Sequence, residues 1–121
     1  AMAYDNNNIF AKILQGDIPC NEIYKDTYAL AFSDINPRAK THVLVIPTGP
    51  YTSSEDFHAT ATSEEITGYY RALDKVLELL DLKEKSGYRL LSNSGHDAGQ
   101  EVPHYHTHIF AGQNLGPMLS I

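Results

Sequence analysis

Residues 104–108 read His104-Tyr105-His106-Thr107-His108, so three of the six histidines stand at every second position. The surrounding run, Pro103 to Ala111, is rich in β-branched and aromatic residues and predicts a strand. Side chains alternate along a strand, so the three imidazoles would share one face, roughly 6.6 Å apart at Cα. Each titrates near neutrality. Such a line of groups can bind phosphate, move protons, attack an electrophile or ligate a metal. Displacement at phosphorus needs a nucleophile, neutralisation of oxygen charge and a proton for the leaving group. A neutral imidazole is a good nucleophile near pH 7, and the central His106 would have a helper on each side. The rival is a zinc or iron site. His42, His58, His96 or one of the fifteen acidic residues could complete one, so residue types alone leave both chemistries open.

The elements around this line predict one α+β domain. Asn8 can cap a short helix with Ile9, Phe10, Ile13 and Leu14 on its apolar face, stopped at Gly16. Residues 22–25 and 28–32 read as a hairpin about Asp26-Thr27, and His42 to Pro47 as an apolar strand. Thr62 and Glu65 have capping-box spacing, and Ile66, Tyr69, Tyr70, Leu73, Val76, Leu77 and Leu80 follow at helical period. This stripe reads as packing. Tyr88 to Asn93 predicts a further strand, and the turn-rich loop Asn93 to Gly99 leads to the histidines. Short connections suggest an antiparallel sheet with the helices on one face.

Composition narrows the function classes. The chain has 121 residues, 42% of them hydrophobic, enough for one domain with a real core. Cys20 is the single cysteine, which excludes an internal disulfide and suits a reducing, cytoplasmic setting. No apolar run is long enough for a membrane span, and Ala1 to Asn8 shows no signal-peptide core. A net charge of −6 argues against a general nucleic-acid binder, though not against a small anion in a local pocket.

Several spaced motifs resemble the histidine-triad (HIT) family. His104-Tyr105-His106-Thr107-His108-Ile109-Phe110 is similar to its His-φ-His-φ-His-φ-φ signature (φ apolar), with Thr107 a mild departure. Asn8 to Ile13, Gly16 to Pro19, Phe32 to Pro37, Thr41 to Pro47 and Gly99 to Val102 resemble its other segments in the right order. The tail Leu115 to Leu119 resembles the Hint branch, its bacterial members especially. The resemblance implies a five-stranded antiparallel sheet with two helices, extended to ten strands in a homodimer. It implies a flexible segment over residues 1–8 and one HIT domain over residues 9–121. It also implies a hydrolase of purine nucleoside phosphoramidates acting through a nucleotidyl-histidine. Dinucleoside polyphosphate hydrolysis, or a purine-nucleotide-binding module with incidental turnover, are the alternatives.

The same resemblance implies roles. His106 would be the nucleophile, its other ring nitrogen donating to the His104 carbonyl. His108 would lie on the phosphate oxygens, and His42 with His104 would relay a proton to the leaving amine. Asp34 would accept from the ribose hydroxyls. Ile9, Phe10, Ile13, Phe32 and Ile35 would wall the base, although each alone reads equally as core. Asn93, Gly99, Gln100, Glu101 and Val102 would approach phosphate and ribose, with backbone N–H groups beside Gly99 coming close. Asn8 and Ala11 stand where some relatives carry zinc-binding cysteines, so neither a metal nor another cofactor is expected. Glu101 stands where many relatives have serine, and an ionised carboxylate cannot donate a hydrogen bond. Lys40 replaces a common proline, with only a loop effect expected. The apolar tail residues Leu115, Met118, Leu119 and Ile121 are expected to dock near a partner subunit's active site.

Overall fold

The computed structural model describes residues 3–120; Ile121, and Ala1 and Met2 of the N-terminal segment, lie outside the described residues. Helix α1 spans Ile9–Leu14, and Asn8 caps it by accepting the Ala11 N–H at 2.9 Å. Gly16, at φ +84°, reverses the chain where an L side chain would be strained. The hairpin follows as β1 (Glu22–Lys25) and β2 (Ala29–Ser33), with Asp26 Oδ1 accepting the Tyr28 and Ala29 amides across the turn. Strand β3 covers Thr41–Pro47, β4 Tyr88–Leu91 and β5 Thr107–Ala111. All pairings are antiparallel, in the order β1-β2-β3-β5-β4. The long helix, α3 (Ser63–Leu79), carries the full Thr62–Glu65 capping box.

Three features differ from the expectation. There are three helices, because Ser54–Thr60 forms α2. It has two acidic residues in its first turn and one buried side chain, Phe57, too little apolar pattern to announce a helix. The helices also cover both faces of the sheet. Ala29, Ala31, Val43, Val45, Ile109 and Ala111 pack with Phe57 and with Tyr69, Leu73 and Val76 of α3. The alternate residues Leu30, Phe32, Leu44 and Ile46 pack on Phe10 of α1. The period of two thus gives the central strands two apolar faces and explains their nearly unbroken hydrophobic runs.

The histidine strand, finally, is shorter than Pro103 to Ala111. The ladder to β3 ends at the pair Val45–Thr107. Beyond it the chain leaves the ladder: the Tyr105 N–H donates to the Tyr51 carbonyl at 2.8 Å, and the His104 ring takes the Pro47 carbonyl. Thr107 has its own reason to be polar. Its hydroxyl meets the Tyr69 hydroxyl at 2.8 Å, which in turn donates to the Val45 carbonyl at 2.8 Å.

Candidate active site

Between α1, β3, β5 and the loop before β5 lies a cavity of about 530 Å³. Apart from His104, every residue expected at the site lines it: Ile9, Phe10, Ile13, Phe32, Asp34, Ile35, His42, Asn93, Gly99, Gln100, Glu101, Val102, His106 and His108. Register explains much of this. His42 and Leu44 on β3 face Phe110 and His108 on β5, so one sheet face delivers two histidines side by side. Alternation then carries His106 to the same face.

The hydrogen bonds fix a tautomer for each histidine. The Arg38 N–H donates to Nδ1 of His42 at 3.2 Å, so neutral His42 carries its hydrogen on Nε2. That hydrogen is donated to Nδ1 of His108 at 2.9 Å. His108 therefore bears its hydrogen on Nε2. Nε2–H of His104 donates to the Pro47 carbonyl at 2.8 Å, and its Nδ1 accepts from the Tyr4 hydroxyl at 2.6 Å. Nδ1–H of His106 donates to the His104 carbonyl at 2.6 Å. The lone pair of His106 is thus on Nε2. No buried side-chain nitrogen or oxygen among the described residues lacks a partner. His106 Nε2 makes no hydrogen bond among those residues, so it opens on the cavity that His106 lines.

Burial holds all four imidazoles neutral at pH 7. Desolvation is the main cause in each case. It pushes His104 and His108 down to about 4, His108 with help from neighbouring His106 and His42. It also lowers His42 and His106, against the pull of Asp34 in both and of the His104 carbonyl in His106. Asp34 Oδ2 lies 3.4 Å from His42 Nε2; with His42 neutral this is a dipolar contact. Asp34 Oδ1 accepts the Asn36 N–H at 2.9 Å, which ties the carboxylate to its loop.

Two expected roles change. His42 does not meet His104, since its ring partner is His108, and His104 is fully buried behind the cavity against Phe10 and Tyr4. The amides of Gly99 and Gln100 donate to the His96 and Gly95 carbonyls and are spent inside the loop. Gly99 is required by its φ of +76°, where an L side chain would be strained. Gln100 acts as a clamp: Nε2 donates to the Thr52 and Val102 carbonyls, and Oε1 accepts the Gly95 N–H. Glu101 is exposed at the rim.

Asp34, His42 and His108 bring three potential metal donors within 4.8 Å of one another. The distances suit an ion, but the tautomers oppose it. A metal on His42 Nε2 would move its hydrogen to Nδ1, against the Arg38 N–H.

Sequence reasoning missed Arg38, Leu44, Leu91 and Phe110 at the site, and Ile18, Pro19 and Cys20 among the residues that line the cavity. Phe110 and Leu44 were within reach, because they continue the alternation of His108 and His42. Phe110 stacks on His108 at 5.5 Å and lies 4.2 Å from His42, packing the pair.

An antiparallel α+β sheet with an alternating histidine triplet, His106 and His108 of it facing one cavity beside His42, defines a narrow class. The chain belongs to the HIT family: the family model for the HIT domain matches residues 15–115. It is 54% identical to a 13.2 kDa HIT-like protein of Azospirillum brasilense, over 99% of this chain and 98% of that one. It is 39% identical to the purine nucleoside phosphoramidase of Escherichia coli, over 93% and 92%. A HIT family hydrolase from Clostridium thermocellum superposes with a TM-score of 0.82 at 36% identity, covering 92% of this chain and 95% of that one.

Proposed function

We propose that the protein is a cytoplasmic homodimeric hydrolase that cleaves the P–N bond of purine nucleoside phosphoramidates through a nucleotidyl-His106 intermediate, without a metal or other cofactor. The observation that carries this reading is the state of His106: Nδ1–H is held by a backbone carbonyl, and a neutral Nε2 is directed to the cavity. The cavity has the size of a nucleotide site. Ile9, Phe10, Ile13, Phe32 and Ile35 give it an apolar end for a flat base, and Asp34 offers acceptors for ribose hydroxyls. The similarity to the Escherichia coli phosphoramidase supports the substrate class.

In this reading Nε2 of His106 attacks phosphorus while the bond to nitrogen breaks. Nε2–H of His108 lies on a non-bridging oxygen. The substrate's negative charge raises the proton affinity of the His42–His108 pair, so a proton enters with it on His42 Nδ1, at the cost of the Arg38 N–H contact. The shared hydrogen shifts to His108 Nδ1, and the Nε2 proton of His108 passes to the departing amine. Water then attacks the phosphorylated imidazole, releasing the nucleoside monophosphate, and its proton refills the pair. His106 Nδ1–H stays on the His104 carbonyl throughout and stabilises the charge that the ring acquires.

Mass spectrometry of protein quenched during turnover of adenosine 5′-phosphoramidate should find one adenylyl group on His106. His106→Asn should retain AMP binding and lose about 10³-fold or more in rate, roughly 4 kcal/mol of barrier. An adduct on another residue, or a near-normal rate in this variant, would overturn the assignment.

A further inference from the structure

Tyr4, in the segment ahead of α1, lies on the hidden side of His104. The Tyr4 hydroxyl donates to His104 Nδ1 at 2.6 Å, and its ring meets the imidazole edge-on at a centroid distance of 5.6 Å. The segment is organised to do this. The Asn8 amide and Nδ2 both donate to the Asp5 carbonyl, at 3.2 and 2.8 Å, and the Asn7 N–H donates to Asp5 Oδ1 at 2.9 Å. The turn is thus pinned to the residue that caps α1.

His104 is fully buried, and its other ring nitrogen is committed to Pro47. Its Nδ1 is then a buried acceptor with apolar Phe10 beside the ring, and Tyr4 is its partner among the described residues. A buried acceptor stripped of its donor draws in water, changes tautomer or takes up a proton. A tautomer change would turn the Nε2 lone pair on the Pro47 carbonyl, so the ring would have to move. The carbonyl that holds His106 Nδ1–H belongs to this same residue.

We propose that Tyr4 is a positioning residue for the nucleophile: through its hydroxyl it locks the His104 ring, and through the His104 backbone it holds His106 with Nε2 directed to the substrate. The chain runs Tyr4 O–H, His104 ring, His104 carbonyl, His106 Nδ1–H. Burial raises the Tyr4 hydroxyl above its ordinary value, which keeps it a donor across the working pH range. The proposal rests on His106 being the nucleophile.

Tyr4→Phe removes one hydroxyl and keeps the ring. Single-turnover adenylylation by the full chain should slow about tenfold, close to 1.4 kcal/mol, with AMP affinity changed by less than about twofold. Long-range proton–nitrogen NMR of the histidine rings should show wild-type His104 as the Nε2–H tautomer. In Tyr4→Phe, His104 should show mixed tautomers or titrate at higher pH, and the His106 ring signals should shift. Tyr4→Ala, which also uncovers the ring, should be slower still. A wild-type adenylylation rate in Tyr4→Phe, equal losses in rate and affinity, or global unfolding of that variant would overturn the proposal. If wild-type protein forms no adenylyl-histidine, the function proposed above fails by itself. The ring signals then decide for Tyr4: changed tautomers in Tyr4→Phe support the lock, and unchanged ones remove it.

Discussion

Asp34 and His42 meet at one edge of the cavity, and their difference in charge state assigns their work. The imidazole is kept neutral by burial, whereas Asp34 keeps one oxygen on its own loop and turns the other toward the pocket. Asp34→Ala should weaken AMP far more than its 2′,3′-dideoxy analogue, because each hydroxyl bonded to a carboxylate contributes about 1.5–3 kcal/mol. Calorimetric titration of both ligands checks this, and equal losses would remove Asp34 from the ribose. The buried histidines also set a pH response. His104 titrates near 6.5 when unfolded and about 4 when folded, so between these values the unfolded chain binds more protons. Stability should therefore be full above pH 6.5 and fall as pH drops toward 4, with roughly 2–3 kcal/mol lost through His104 alone. Urea unfolding at pH 7.5, 5.5 and 4.5 would show it; a midpoint that does not move would deny the buried neutral state. The residue types and spacing made these histidines legible as a set. The hydrogen of His106 was expected on the His104 carbonyl and lies there. Those of the other three were not legible, because their tautomers are dictated by Arg38, Pro47 and Tyr4, whose positions no spacing rule encodes.

At the scale of elements, the sequence was clearest where a period ran long enough to repeat. The stripe of α3 with its capping box, and the apolar run of β3, are such cases. Helix α2 is held by Phe57 stacked on Tyr105, by His58 on the Tyr70 hydroxyl and by Glu55 on Ser94, so tertiary contact rather than pattern makes it. The same segment before α2 receives the Gln100 clamp through the Thr52 carbonyl. Gln100 thereby joins the loop from Gly95 to Val102 to the segment between β3 and α2. Gln100→Ala should free that loop, with a raised KM and faster hydrogen exchange at Gly95 and Gly99. Unfolding stability should fall by about 1–2 kcal/mol for the lost side-chain bonds, two of which meet carbonyls of the half-buried Thr52 and Val102. Unchanged exchange in the loop would show that the backbone turns hold it unaided. Gln100 lines the cavity as expected, with both of its amide hydrogens given to the chain's own carbonyls.

For the whole molecule the unfinished feature is the β4 edge. Helix α3 packs over β1, β2 and β3, and its cover stops short of β4. Tyr88 and Leu90 lie on that same face, opposite Ala111 and Ile109, yet are 42% and 44% exposed. Leu79 at the end of α3 is bare as well. A strand edge with free backbone groups beside an uncovered apolar face invites an isologous partner, which would pair β4 with β4 and lay a second α3 over Tyr88 and Leu90. The tail crosses the other face of the same strand: Arg89 donates to the Gly116 and Pro117 carbonyls at 3.0 and 3.3 Å, and Met118 and Leu119 stay exposed. A tail anchored on β4 would run toward the two-fold axis and the partner's cavity. The expected outcome is an obligate dimer with one continuous ten-stranded sheet, dimeric by light scattering down to low micromolar concentration. Leu90→Glu places a charge on the uncovered face, where burial in an interface costs several kcal/mol; it should yield monomers with reduced stability. A chain ending at Gly112 should remain dimeric and change its preference among phosphoramidate leaving groups. A full-length monomer with full activity would refute the dimer, and an unchanged leaving-group preference in the shortened chain would refute the role of the tail.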